Sequence, residues 1–230
     1  MSEPTTGTTS GTAPTRNVVL LVVAAVLVIA VVVVVLLFGV ARPPEVVALV
    51  DQPDPSPSAA VVWNDDRNDE PCLTVASPDG TTTELTCTDE FGEVIAWDDN
   101  GVVVRTWGAR DRLQWIDPAT GEQQQRDEVD DPTGFETYRT SDITSRARSG
   151  TLRVTLDETG EVIWETDAHD GYRVQAGAVS PDGAWVAMVD SADRLLVVPA
   201  DGSQPPRVWA EDVASWEAPV WEGTSLREAG

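Results

Sequence analysis

A short turn that contains a glycine recurs along this chain at intervals of 41, 39 and 42 residues. Each copy follows an apolar run and an Asp, and each has a Leu seven or eight positions upstream; the glycines are Gly80, Gly121, Gly160 and Gly202. Residues 101–113 also resemble residues 183–195, at an offset of 82, which is twice 41. This period indicates one supersecondary unit repeated along the chain, whose copies must stack because none can bury its apolar face alone.

Each unit is predicted to be a small antiparallel sheet. Runs rich in Val, Trp, Thr and Leu alternate with Asp, Gly and Pro turns, and no window sustains a helical period, so we predict an all-β domain. A period of about 40–45 residues with four strands per repeat is typical of β-propeller blades. The predicted strands are 60–64, 72–77 and 81–87; 93–97, 102–107, 112–116 and 122–126; 135–140, 143–148, 151–156 and 161–165; and 174–179, 184–189, 193–199 and 206–210.

The first repeat lacks one strand, and the C-terminal residues 218–221 offer a strand that has no local partner. We therefore predict a four-bladed ring in which the end of the chain completes the first blade. Such closure removes the open sheet edges that promote aggregation. An open, curved stack of sheets and an irregular β-sandwich remain the alternatives.

Three segments carry a resemblance to known repeats. The segment SPDGAWVAMVDSADRLLVVPADG at 180–202 resembles one blade of a WD40-like or TolB-like propeller, although the Gly-His and Trp-Asp dipeptides of true WD40 repeats are absent. The segments LDETGEVIW at 156–164 and WIDPATGE at 115–122 resemble the D-x-x-T-G turn of PQQ-like repeats, whose Trp four residues after the Gly docks blades together. Trp164 matches that position, and Gln125 occupies it in the other copy. The resemblance covers roughly residues 60–222 and implies blade packing, so no quinone cofactor is expected.

An unbroken apolar run at residues 18–40 predicts a membrane anchor. As a helix the run would be roughly 34 Å long, enough to cross a hydrocarbon core of about 30 Å. We assign residues 1–16 to a disordered cytoplasmic tail, 17–41 to a transmembrane helix, 42–59 to a Pro-rich linker and 60–230 to an extracytoplasmic domain. A cleaved signal peptide is the alternative, since Gly39, Val40 and Ala41 form a small-x-small pattern.

The orientation of the predicted transmembrane helix is inferred from the C-terminal domain rather than from the residues beside the helix. Arg16 and Arg42 balance each other on the two sides of the run. The domain is acidic, lacks Lys and carries both cysteines of the chain, which fits an oxidising, outward location. We therefore predict a single-pass protein of the cell membrane, with its N-terminus inside and its C-terminal domain outside.

The composition excludes several kinds of chemistry. Asp and Glu total 39 against 15 Arg and no Lys, so the net charge of -24 repels nucleic acid. One His and two Cys cannot complete a zinc site of nitrogen and sulfur ligands. The acidic pairs at 65–66, 98–99 and 130–131 lack the spacing of a calcium loop. His169 has no nucleophile motif beside it, so we expect no catalytic residue, metal or cofactor.

Cys72 and Cys87 flank the turn at residues 78–80 and are predicted to form a disulfide. A two-residue turn at Asp79 and Gly80 would place the two cysteines directly opposite each other. A turn with a glycine bulge would slip the register by one and direct their side chains to opposite faces. The sequence leaves both registers open.

Nine Trp residues lie at or after position 63. Most fall within predicted strands, where they would pack between blades, whereas Trp216 and Trp221 are candidates for a partner-binding surface. We expect a non-catalytic domain that binds or scaffolds a protein partner in the envelope or membrane. The alternative is a carbohydrate-binding or envelope-processing module, which would require a row of exposed Trp.

Overall fold

The computed structural model describes residues 43–48, 56–66, 71–88, 91–106, 112–124, 141–168, 171–215 and 217–226. This part of the chain is all β. It includes no helix of sufficient length and apolarity to cross a membrane. The predicted tail at 1–16 and transmembrane helix at 17–41 lie outside the described residues and stay predictions.

Fifteen strands are present in the described ranges. In chain order they are β1 (Val47–Ala48), β2 (Val61–Asp65), β3 (Cys72–Ala76), β4 (Thr82–Cys87), β5 (Phe91–Asp98), β6 (Gly101–Thr106), β7 (Arg112–Ile116), β8 (Ile143–Arg148), β9 (Thr151–Leu156), β10 (Val162–Asp167), β11 (Val174–Val179), β12 (Trp185–Asp190), β13 (Arg194–Pro199), β14 (Arg207–Glu211) and β15 (Val220–Trp221).

These strands form four antiparallel sheets with a propeller-like blade architecture. The first sheet has the order β15-β2-β3-β4, the second β5-β6-β7, the third β8-β9-β10 and the fourth β11-β12-β13-β14, with β1 added in parallel beyond β14. Apart from 122–126, the predicted strands that lie in the described residues therefore occur in the predicted sheets. In the predicted strand 122–126 the described residues contribute an isolated bridge between Ile116 and Gln123, and the predicted strand 135–140 lies outside the described residues.

Apolar cores lie between successive sheets. One core joins the third and fourth sheets, a second joins the fourth and first, and a third joins the first and second. Strands β2, β6 and β12 are buried at every position because they are covered on both faces, as their nearly continuous apolar sequences indicate. In the third sheet, by contrast, buried and exposed positions alternate along part of β9, so no other described sheet covers one of its faces.

The last strand of the chain completes the first sheet, as predicted. Val220 pairs with Val62 and Trp221 with Val61. The pairing continues at Glu222, whose N–H donates to the carbonyl of Ala60 at 2.9 Å. The C-terminal segment therefore supplies the strand that the first repeat lacks.

The predicted linker is partly ordered against the fourth sheet. Val47 and Ala48 pair in parallel with β14, and Pro44 is buried. Arg194 donates a hydrogen bond through Nη1 to the carbonyl of Pro44 at 3.3 Å. The predicted Pro-rich linker at 42–59 contained no strand, so this attachment was not predicted.

Candidate functional site

The disulfide between Cys72 and Cys87 is present, with an S–S distance of 2.07 Å. Near the turn, Gly80 adopts a φ of 83° and the register is slipped, so that Thr74 lies opposite Glu84. A bulge then leaves Leu85 unmatched, and Cys72 lies directly opposite Cys87. Both registers considered from the sequence therefore occur in one hairpin, and the bulge reconciles them.

The same cysteines exclude a metal site at this hairpin. Cys72, Cys87 and Glu84 form the one close group of potential metal ligands in the described ranges. Because both sulfur atoms are consumed in the disulfide, neither can act as a thiolate ligand.

Trp221 does not contribute to a partner surface. Its side chain is fully buried, its ring lies 5.5 Å from that of Trp209, and its Nε1 donates to the carbonyl of Ala178 at 2.8 Å. This candidate is therefore wrong, because the closing strand carries the ring into the core between the fourth and first sheets. Trp216 lies outside the described residues and stays a prediction.

The other described Trp side chains offer no aromatic platform either. Trp63, Trp97, Trp164, Trp185 and Trp209 are buried, and Trp115 is half-buried. Among the described residues, Val162 is the one large hydrophobic side chain that is exposed. The carbohydrate-binding alternative therefore has no stacking surface in this part of the chain.

A cavity of about 990 Å³ opens where turns from neighbouring sheets converge. Its walls come from the β9–β10, β11–β12 and β13–β14 turns, the residues before β8, and the C-terminal residues 223–225. We call it the turn groove. Two of the repeating glycines, Gly160 and Gly202, lie in these turns with φ values of 72° and 64°, which favour glycine. The repeat found in the sequence thus builds the groove, but the convergence of the turns depends on sheet packing.

The turn groove is acidic. Its lining includes Asp142, Asp157, Glu158, Glu161 and Asp201 but no Arg among the described residues. Asp142 accepts a hydrogen bond from the N–H of Val179 at 2.9 Å and so links β8 to β11. Hydrogen bonds from the side chain and then the backbone of Ser203 hold the pKa of Asp201 below its usual value. The lining is therefore suited to cationic groups.

A second cavity, of about 660 Å³, lies on the third sheet. Its lining includes Arg146, Arg148 and Arg153 together with several Thr side chains. Sequence reasoning missed this cluster, although the alternation of Arg with smaller residues in β8 already indicates one polar face of a strand.

Glu217 is a further titratable group of interest. Burial first, and then the charges of Glu93 and Asp66, raise its pKa to about 8. These three acids come from distant parts of the chain, so no local pattern in the sequence could have identified the group.

Comparisons with known proteins add little to this description. No family model and no curated protein matches the sequence. The chain is similar to the crystal structure of Sqt1 from Chaetomium thermophilum, with 20% sequence identity over 64% of this chain and 41% of that chain, and a TM-score of 0.19. It thus spans less than half of that protein's length, and a likeness of this quality supports no functional argument.

Proposed function

We propose that this chain is a single-pass membrane protein whose extracytoplasmic domain binds a protein partner without catalysing a reaction. The observation that supports this function best is the turn groove, which three turns and the C-terminal segment build together. On propeller-like folds, function resides in such grafted surfaces rather than in the fold itself.

The groove is suited to binding because its turns are held by backbone hydrogen bonds. The N–H groups of Gly160, Gly183 and Gly202 donate to Leu156, Ser180 and Pro199 at 2.8, 2.8 and 3.0 Å. A preorganised surface loses little conformational freedom on association, so more of the contact energy contributes to affinity. Its acidic lining favours a partner segment that carries Lys or Arg.

The finer arrangement that we propose is a four-bladed ring. The pairing of Val220 with Val62 supports it, because the end of the chain completes the first sheet. Apolar cores join three of the successive sheet pairs. The apolar run at 18–40 supports the anchor, and the disulfide supports an oxidising location for the domain.

The absence of Lys gives a direct test of location. A single Lys introduced as Ala119→Lys, at an exposed turn position, should react with a membrane-impermeant amine reagent on intact cells. The N-terminal amine should react only after lysis. Labelling of the N-terminus on intact cells, with Ala119→Lys protected, would reverse the proposed topology.

Binding in the groove can be tested with an eight-residue Lys-Ser peptide and the full chain in detergent micelles. The double variant Glu158→Gln, Glu161→Gln removes two exposed acids of the groove. We expect about a tenfold weaker affinity by calorimetry, the equivalent of roughly 1.4 kcal/mol.

A matched control separates the groove from the general charge of the protein. Glu122 and Glu211 are exposed and lie outside the groove lining, so Glu122→Gln, Glu211→Gln changes the net charge equally. This control should bind as the unmodified chain does. An equal loss in both double variants would contradict a specific site in the groove.

A further inference from the structure

The third sheet has one polar face that no described sheet covers. Its other face packs against the fourth sheet through an apolar core that includes Ile143, Leu152 and Val154. The open face lines the 660 Å³ cavity and carries guanidinium and hydroxyl groups; the residues are Thr144, Arg146, Arg148, Thr151, Arg153 and Thr155. We call it the guanidinium face.

Strand register places these six side chains in two rows. Arg146 lies opposite Arg153, Arg148 opposite Thr151, and Thr144 opposite Thr155. Alternate residues of a strand point to the same face, so the three residues of each strand share that face. The result is a compact patch in which three positive charges lie on neighbouring positions.

The charges of this patch are only partly compensated. Like charges directly opposite each other destabilise a strand pair, and Arg146 and Arg153 occupy such positions. Arg153 donates through Nε to Oε2 of Glu165 at 2.7 Å. Arg146 and Arg148 are exposed and form no hydrogen bond or ion pair with any residue in the described ranges.

The composition makes this arrangement unusual. The chain has 39 acids and only 15 basic residues, yet three of the latter lie within residues 146–153 on one face. Arginines that served only to stabilise the sheet would be expected beside acids, as Arg153 is. The guanidinium groups of Arg146 and Arg148, which have no partner among the described residues, are instead available to an external anion.

The geometry favours carboxylates on an extended chain. A guanidinium group binds a carboxylate through two parallel hydrogen bonds. Arg146 and Arg148 are two residues apart on one strand, which corresponds to roughly 6.6 Å. Alternate side chains of an extended peptide have the same spacing. A long polyanion, by contrast, would extend over a protein with a net charge of -24 and be repelled.

We propose that the guanidinium face of β8 and β9 binds a short acidic segment of a protein partner, in which Glu or Asp occurs at alternate positions. The Thr hydroxyls beside the arginines supply further donors to the same carboxylates. The cavity at this site shares Leu156 and Asp157 with the turn groove. The site takes a ligand of opposite charge through other side chains, so each proposal can fail without the other.

The test uses the full chain in detergent micelles and a fluorescent eight-residue peptide of alternating Glu and Thr. Fluorescence anisotropy should detect binding that weakens with salt, and the matching Gln-Thr peptide should not bind. Each of Arg146→Gln and Arg148→Gln should lower the affinity about tenfold, as expected for the loss of one charge-assisted pair. Both side chains are exposed, so circular dichroism should show an unchanged fold.

Arg173→Gln is the matched control, because Arg173 is exposed and lies outside the guanidinium face. It should leave the affinity for the Glu-Thr peptide within about twofold. An equal loss in Arg173→Gln would overturn the proposal in favour of non-specific attraction. Tighter binding of inorganic polyphosphate than of the peptide would overturn the assignment to an acidic protein segment.

Discussion

The carboxylate of Asp190 has no exposed surface, and it accepts five hydrogen bonds. Arg194 provides three of them, through Nε, Nη2 and its backbone N–H, and the Tyr172 hydroxyl provides another at 2.8 Å. Burial, followed by the charge of Asp190, raises the pKa of Tyr172 well above its usual value. Tyr172 therefore stays neutral and acts as a hydrogen-bond donor. Both oxygens of the buried Asp190 carboxylate thus have hydrogen-bond donors.

Glu217 is in the opposite situation. No described residue donates a hydrogen bond to its side chain, and burial and the nearby charges of Glu93 and Asp66 raise its pKa to about 8 from 4.5. At pH values between 4.5 and about 8, the Glu217 side chain is protonated in the folded state and ionised in the unfolded state. Stability should therefore decrease as the pH rises from 4.5 to 8.

Glu217→Gln should remove this pH dependence. We expect the variant to unfold with a free energy about 1–3 kcal/mol greater than that of the unmodified chain at pH 9, and equal to it below pH 4.5. Urea denaturation across this range measures the difference. Glu122→Gln, at an exposed position, is the control and should not alter the dependence. A variant without any gain at pH 9 would contradict the raised pKa.

The hairpin of β3 and β4 shows what the sequence could predict. Cysteine spacing and the turn at Gly80 predicted two strands and a crosslink, because both depend on neighbouring residues. The bulge at Leu85 depends on how β4 fits beside β3, and no local pattern encodes it. The linker strand β1 was not predicted either, because its partner β14 lies far along the chain.

The candidate sites also combine local features that the sequence shows with contacts that depend on distant parts of the chain. The turns that contain Gly160 and Gly202 were recognised from their period, whereas the groove that they form requires the packing of the third and fourth sheets. Trp221 was misassigned because its strand has only two residues and no partner in the neighbouring sequence. Its burial results from pairing with β2.

Removal of the disulfide should destabilise the domain measurably. The crosslink joins residues 15 positions apart, and closing a loop of this length in the unfolded chain contributes about 3 kcal/mol. The variant Cys72→Ala, Cys87→Ala should therefore melt roughly 6–12 °C lower in calorimetry. Reduction of the unmodified chain should give the same shift, and an unchanged melting temperature in both would contradict a stabilising crosslink.

The C-terminal segment links three sheets. β15 pairs with β2, the N–H of Trp97 in β5 donates to the carbonyl of Thr224 at 2.9 Å, and Trp221 donates to Ala178 in β11. The first, second and fourth sheets therefore share one short stretch of chain. Its loss should affect the stability of the domain as a whole rather than that of one sheet.

Deletion of residues 213–230 should consequently cause aggregation. It opens the edge of β2 and removes the buried side chains of Val213 and Trp221. Burial of one Trp alone contributes about 4–6 kcal/mol, a large part of a typical stability of roughly 5–15 kcal/mol. Size-exclusion chromatography and thermal melting of the intact and truncated chains measure the aggregation and the loss of stability.

A shorter deletion provides the control. Removal of residues 227–230 retains the pairing of β15 and the bridge between Thr224 and Trp97, so this chain should elute and melt as the intact one does. If the longer deletion also melted as the intact chain does, the closing strand would not contribute to stability.

The pairing of β2 with β15 also determines when folding can be completed during biosynthesis. Ala60 and Glu222 are 162 positions apart and hydrogen-bond to each other, so the ribosome synthesises β2 long before its partner β15. A nascent chain therefore keeps one edge of β2 without its native partner until residues 220 and 221 have left the ribosome. Completion of the first sheet therefore follows the synthesis of the other three sheets, and a chain that stalls before residue 220 presents an unfinished sheet to the quality-control machinery.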